Sequence, residues 1–214
     1  MADITWLGHS CFRIKGREAT IITDPYDSKV GYDLGRPKAD IVTISHDHHD
    51  HNFVQGIKGE PKVIAGPGEY EISDVLITGI RTYHDEENGQ KRGKNTVYLI
   101  EMEGVTFCHL GDLGHVLTTE QVEAMEKVDV LFIPVGGFYT INAAQAAEVI
   151  SELEPKIVIP MHYLTKEVDM PIDPVDKFAK EIGLKNVEPQ EKLTVKSSSL
   201  PEEMQVVILE YKAG

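Results

Sequence analysis

Residues 45–52 read SHDHHDHN, with four histidines and two aspartates packed into six consecutive positions. A neutral imidazole nitrogen and a carboxylate oxygen are both good donors to a divalent metal ion, so the chemistry this stretch invites is metal binding. The spacing is His-x-His-x-Asp-His. His46 and His48, two residues apart, can point the same way from an extended segment and grip one ion. Asp50 and His51 then turn the other way and can serve a second. Asp47 and His49 fall at spacer positions and are expected to be exposed. The cluster follows an apolar, strand-like run, ADIVTIS, which an accidental charge run has no reason to do. A metal-sequestering tract would be longer and repetitive.

Two ions need more donors, and the later chain supplies them where strand-like segments run out. His84 lies in GIRTYHDE, Asp112 in FCHLGDLG and His162 in KIVIPMHY. Any one histidine at a strand end is more often a surface or hydrogen-bonded group than a ligand. Three such residues, in order after the cluster, reverse those odds. A donor set of imidazole and carboxylate suits zinc first, with manganese, iron or nickel open. Two ions roughly 3.5–4 Å apart can hold a water between them and lower its pKa from 15.7 to about 7. A water so activated would attack an acyl or phosphoryl centre, and Asp50, expected beside it, would be the natural proton shuttle. No G-x-S-x-G nucleophile elbow competes with this chemistry.

The elements that must position these residues are legible in outline. The 214-residue chain is long enough for one sizeable core, so 1–214 is expected to be a single domain. Short strands are expected over 3–7, 11–14, 20–23, 40–45, 63–65, 75–81, 95–101 and 105–110. The last two form a hairpin turning at Glu103-Gly104. An αβαβ stretch follows: a helix over 119–127, the buried strand DVLFIPVGG, a helix over 143–153 and the buried strand KIVIPMHY. A helix over 173–182 carries Pro174 in its first turn, and strands around 193–195 and 205–211 close the chain. Two packed sheets with helices outside fit this order.

Composition narrows the partners. Acids outnumber bases 35 to 21, for a net charge of −14 with neutral histidines. A field of that sign repels nucleic acid and anionic membrane surfaces, so neither is expected as a partner. A small-molecule substrate is expected, and a homo-oligomer is compatible with the sequence. The two cysteines, Cys11 and Cys108, sit in apolar runs and resemble neither a disulfide framework nor a cysteine-rich zinc site. With no signal-like N-terminus and no apolar run near 18 residues, the expected compartment is the cytoplasm.

With the segments WLGHSCFRI, IITDPY, SHDHHDH, TYHD, HLGDLG, PVGGFYT and IPMHY in hand, the chain resembles the metallo-β-lactamase superfamily. Within it, the resemblance is to small metal-dependent hydrolases related to the ascorbate-6-phosphate lactonases. It implies an α/β (α+β) fold, a four-layer αββα sandwich with the metals at one edge between the sheets. Carried over by position, His46, His48 and His84 would bind the first metal, and Asp50, His51 and His162 the second. Asp112 would bridge both, and Asp24 would support the histidine loop by hydrogen bonding. His9 and His109 are expected beside the cavity or hydrogen-bonded to ligands. The departures also inform. Asp112 stands where a B1-type lactamase has cysteine, and no glutamate replaces a cluster histidine as in di-iron flavoproteins. Only 49 residues lie between Asp112 and His162, too few for the inserted domain of the RNA-processing nucleases. A glyoxalase II reading lacks that family's motif around the third histidine.

The expected activity is binuclear metal-dependent hydrolysis of a small anionic substrate, a lactone or a phosphodiester. The rival is a non-enzymatic metal-binding or sensor protein on the same fold. Two segments bear on the substrate. PVGGFYTINAA is a Gly-Gly loop feeding a helix capped by Thr140 or Asn142, whose free N–H groups could bind an anion or whose glycines could simply permit the turn. The loop HDEENGQKRGKN carries Lys91, Arg92 and Lys94, a solvated tip unless it folds over the metals. Tyr139 and Tyr163 are further candidates to line the pocket.

Overall fold

A computed structural model describes residues 1–185 and 188–214. In chain order the elements are β1 (Ala2–Gly8), β2 (Cys11–Lys15), β3 (Thr20–Thr23), β4 (Ile41–Ile44), β5 (Lys62–Ala65), β6 (Gly68–Ile72), β7 (Val75–Tyr83), β8 (Lys94–Met102) and β9 (Val105–His109). There follow α1 (Thr119–Ala124), β10 (Val130–Pro134), α2 (Ala143–Leu153), β11 (Ile157–Met161), α3 (Val175–Glu181), β12 (Leu193–Val195) and β13 (Gln205–Val206). The strands form two sheets, ordered β12-β1-β2-β3-β4-β5 and β13-β11-β10-β9-β8-β7-β6. The α/β class and the paired sheets are as the sequence suggests. Helices are few: the links within the first sheet carry only two 3-10 turns, Ser28–Val30 and Val54–Gly56.

Strand chemistry explains the layout. β10 and β11 are buried at every position and pair in parallel in the middle of the second sheet. Central parallel strands are covered on both faces, which is why VLFIP and IVIPM read as unbroken apolar runs. β7 instead alternates buried and more exposed residues and pairs antiparallel with β6 and β8. The sheets meet through aromatic rings: Phe12 of β2 and Phe132 of β10 lie 4.4 Å apart between centroids. Burying such a side chain is worth ~1.5–3 kcal/mol, and one hydrophobic cluster runs from Ala2 to Leu209.

Besides β6, which the sequence did not suggest, three elements differ clearly from expectation. α1 stops at Ala124, because Glu126 turns left-handed at φ 22°. α3 begins one residue after Pro174, which serves as its N-cap. The expected final strand over 205–211 keeps sheet geometry only at Gln205–Val206 and then changes sheets. Leu209 bridges Gln190, and Tyr211 bridges Trp6 of β1. This segment therefore ties the two sheets together.

Candidate metal centre

The ends of β3, β4, β7, β9 and β11 converge at one edge of the sandwich. There the Nε2 atoms of His51, His84 and His162 each lie 3.3 Å from a single oxygen, Asp112 Oδ2, and His46 Nε2 lies 3.9 Å from it. His46 Nε2 also lies 3.0 Å from His48 Nδ1. Each residue proposed as a ligand thus comes to the same edge, with Asp112 at its centre. All but His48 and Asp50 are buried.

The cluster loop is held from beneath. Asp24 Oδ1 accepts the Ser45 N–H at 2.8 Å, and Asp24 Oδ2 accepts the Ser45 hydroxyl at 2.5 Å and His51 Nδ1–H at 2.9 Å. Ser45 Oγ lies 2.9 Å from His46 Nδ1. With the hydroxyl proton given to Asp24, the His46 Nδ1–H donates to Ser45. Both His46 and His51 therefore turn Nε2 toward Asp112, the carboxylate–histidine arrangement that orients metal ligands. Asp112 is fixed from the other side: Asn95 Oδ1 accepts its backbone N–H at 3.0 Å, and Asn95 Nδ2 donates to Leu110 O at 2.9 Å. A side chain at Gly111 would press within 2.5 Å of Asn95 and Ser45, so only glycine lets this turn pass between them.

Do these donors fit metal ions? Buried polar atoms normally have partners. Here Asp112 Oδ1, His51 Nε2, His84 Nδ1, His162 Nδ1 and His9 Nε2 are buried with none among the described residues. Two nitrogen sets each lie within 4.8 Å: His46, His48 and His84, and His9, His51 and His162. Zinc–nitrogen bonds of ~2.0–2.1 Å reach across at most ~4.2 Å, so either set closes on an ion with only a small inward shift of its rings. The fit is good. The first set is the expected first site. The second brings in His9, which the sequence placed only beside the cavity.

The electrostatics agree with neutral imidazoles around a permanent carboxylate. Burial lowers the His9 pKa to about 4 and that of His46 to about 3, and it also lowers that of His84. For Asp112, burial alone would raise the pKa, but His162 and His51 hold it well below the usual carboxylate range. His51 is the exception. Burial opposes its charging, yet Asp112 and Asp24 raise it well above the ordinary histidine value. Asp50 Oδ2 lies 3.4 Å from His9 Nε2 and 3.8 Å from His51 Nε2. Strain gathers at the same edge: His9, Asp24 and His162 adopt positive φ of 53°, 38° and 52°. Such residues cost ~1–3 kcal/mol each and persist where surrounding structure over-determines them.

The remaining candidates separate clearly. His109, at the end of β9, donates Nε2–H to Ser10 O at 2.8 Å and accepts the Gly111 N–H on Nδ1 at 3.3 Å. Both of its nitrogens are used, so no lone pair is left for a metal. Tyr139 lines the cavity over the site, about 500 Å³ in volume, together with Asp50, His84, Arg92 and Met170. Tyr163 is instead buried against Trp6, with ring centroids 5.2 Å apart. The helix after the Gly-Gly loop is capped by Asn142, whose side chain accepts the Ala144 and Gln145 N–H groups. Those donors are taken, which favours the turn-forming role of the glycines. Sequence reasoning missed Asn95, Asp85 and the part played by Ser45, because their value lies in partners distant along the chain.

These features define a metal-dependent hydrolase of the metallo-β-lactamase superfamily. The chain matches the beta-lactamase superfamily domain over residues 3–162, and it belongs to that superfamily. It is similar to a Thermotoga maritima protein described as a proposed zinc-dependent hydrolase of the same superfamily, at 41% identity and TM-score 0.83, covering 99% of this chain and 100% of that one. Among curated proteins it is similar to UPF0173 metal-dependent hydrolases. The relative from Pyrococcus furiosus is 28% identical, over 86% of this chain and 94% of its own length. The Thermoplasma acidophilum relative is 29% identical over 76% and 83% respectively. Among the described residues no helix is long and apolar enough to cross a membrane.

Proposed function

We propose that the protein is a binuclear metal-dependent hydrolase acting on a small anionic substrate, a lactone or a phosphodiester. The observation that carries this reading is the placement of four imidazole Nε2 atoms within 3.9 Å of one oxygen of Asp112. His46, His48 and His84 would hold one ion; Asp50, His51 and His162 the other; Asp112 both. Zinc is the first choice for this donor set, and manganese, iron or nickel is compatible with it. Two bound ions would acidify a shared water and polarise the scissile group.

The chain's own groups do the rest. Asp24 and Ser45 keep the donor nitrogens of His46 and His51 turned inward. Asp50, one-fifth exposed at the cavity floor, takes a proton from the attacking water and returns it to the leaving oxygen. The new bond joins water oxygen to acyl carbon or phosphorus, and the bond to the leaving oxygen breaks. His9 Nε2 lies 3.4 Å from Asp50 Oδ2, beside the carboxylate that would carry the proton.

The test pairs metal counting with turnover. Protein loaded with excess zinc or manganese is expected to carry close to two ions per chain by elemental analysis. It is expected to hydrolyse generic lactone or phosphodiester substrates, and to lose that activity to a chelator. A count that never exceeds one ion removes the binuclear assignment. Two ions with no turnover on lactone, thioester or phosphodiester substrates favours the sensor.

A further inference from the structure

The loop between β7 and β8 holds a cation that no acidic group among the described residues claims. Arg92 is one of 21 basic residues set against 35 acidic ones, yet among the described residues no carboxylate lies within ion-pair distance of it. Its neighbour Lys91 behaves as a surface lysine does and pairs with Glu87. The Arg92 guanidinium turns inward instead. Its central carbon lies 4.7 Å from the Tyr139 ring centroid and 5.8 Å from that of Phe138. Nη1 is buried and has no hydrogen-bond partner among the described residues. A buried guanidinium donor left unpaired is costly unless something else completes it.

Arg92 lines the cavity above the metal centre and is the only lysine or arginine among the described residues that does so. It also borders an adjoining cavity of about 690 Å³ that reaches Lys94 and Pro67. The rest of the metal cavity contributes Asp47, Asp50 and Asp112 as its charged carboxylates. Two bound ions would offset these, leaving the guanidinium as a separate positive pole.

The arginine is placed with care. Asp85, immediately after His84, accepts four backbone N–H groups: Glu87 and Gly89 on Oδ1, both at 2.8 Å, and Lys91 and Arg92 on Oδ2, at 3.0 and 2.7 Å. Burial alone would raise the Asp85 pKa, but these donors bring it down to about 2. The loop is closed at its base by His84 N–H to Gly93 O at 3.1 Å. Beside the guanidinium Phe138 is 65% exposed and held at φ 57°, a conformation that a bulky residue rarely adopts. The Tyr139 and Phe138 rings, at 80° to each other, therefore flank the guanidinium on two sides, and the carboxylate of Asp85 fixes its backbone. A planar, pre-oriented guanidinium with a spare edge is suited to bidentate recognition of an oxyanion.

We propose that Arg92 is the specificity-determining residue of this site. It would bind a carboxylate or phosphate that the substrate carries away from its scissile bond, with Asp85 as the positioning residue. The proposal rests on the hydrolase reading for its substrate, but it can be tested by binding alone. Calorimetry on the zinc-loaded protein would compare dicarboxylates with monocarboxylates of equal length: succinate with butyrate, glutarate with pentanoate and adipate with hexanoate. A parallel arm would compare 3-phosphonopropionate with propionate. One carboxylate can occupy the metals in each pair, so the gain from the second anion isolates Arg92.

At least one pair is expected to show a gain of about tenfold or more. Arg92→Gln is expected to abolish that gain while metal content stays unchanged, and Arg92→Lys to keep part of it as a point charge. Whether the carboxylate or the phosphonate arm gives the larger gain identifies the anion. No gain in any pair, or a gain equal in Arg92→Gln, overturns the proposal. A gain that is present and lost in Arg92→Gln, in a protein that hydrolyses none of the generic substrates, would instead leave Arg92 standing and remove the hydrolase reading.

Discussion

Two loops meet at the metal edge, and they are built in opposite ways. The loop after β4 is fixed through its side chains: Asp24 grips Ser45 and His51, Ser45 grips His46, and the outward nitrogens are consumed so that the inward ones stay bare. The loop after β7 is fixed through its backbone, with one carboxylate, Asp85, absorbing four N–H groups while Arg92 keeps a free donor edge. The first arrangement suits ligands that must not move when a metal binds. The second suits a group that must present one fixed edge to a substrate anion. On the proposed reading, catalytic and selective functions are held by separate networks, and substitutions in the two should fail differently.

The largest effect belongs to the point where the first network converges. Asp112→Ala removes the one oxygen around which four histidines gather. Metal content is expected to fall from two ions toward one, and turnover by at least about a hundredfold, more than the loss of an outer hydrogen-bond partner brings. The fold should persist, because Asp112 lies beyond the end of β9 rather than within the sheet. Wild-type turnover in this variant would remove its bridging role. Next comes a pair of histidines. His84→Ala is expected to lose the first metal, whereas His109→Ala should keep both ions with reduced activity, since both ring nitrogens of His109 are already committed to Ser10 and Gly111. The reverse metal counts would exchange the two assignments. Smaller again is Asp24→Asn, which keeps the shape but loses the charge that orients His51. Metal affinity is expected to weaken by about 10–100-fold, measured by competition with a coloured chelator, with the stoichiometry unchanged. An unchanged affinity would show that Ser45 alone suffices.

How much of this was legible beforehand depended on how local the signal was. β10 and β11 announced themselves, because strands buried on both faces must be apolar at every position. The candidate donor histidines were legible because they cluster directly after β4 or follow the ends of β7 and β11. β6 went unread: GEYEI lies at the sheet edge with most positions exposed, so its composition follows solvent rather than a core. The closing segment read as one strand because alternation is local, whereas its transfer from Val206 to Tyr211 between sheets is decided by partners far along the chain. Asn95 illustrates the same limit at the site. Nothing in KNTVYLI marks an asparagine whose side chain spans to Thr82, Leu110 and Asp112. His9 was placed near the cavity, but its approach to His51 and His162 depends on a left-handed turn that the sequence does not advertise.

The smallest expected effect sharpens the contrast between the loops. In Asp85→Asn one carboxylate oxygen becomes an amide nitrogen, which cannot accept a hydrogen bond. Either the Glu87 and Gly89 pair or the Lys91 and Arg92 pair of backbone N–H groups must lose its acceptor, and two donors then face the new amide protons. Hydrogen bonds to a charged group contribute ~1.5–3 kcal/mol, and 1.4 kcal/mol is a factor of ten in an opening equilibrium. Hydrogen exchange of these four amides is therefore expected to accelerate by about tenfold or more, while the amides of the loop after β4 keep their wild-type rates. Metal content should stay at the wild-type level, because Asp85 touches no donor nitrogen of the site. The affinity gained from a second anion should fall by several-fold without vanishing, since the Tyr139 and Phe138 rings still flank the guanidinium. Loss of metal in this variant would mean that the two loops form one network after all, joined through His84.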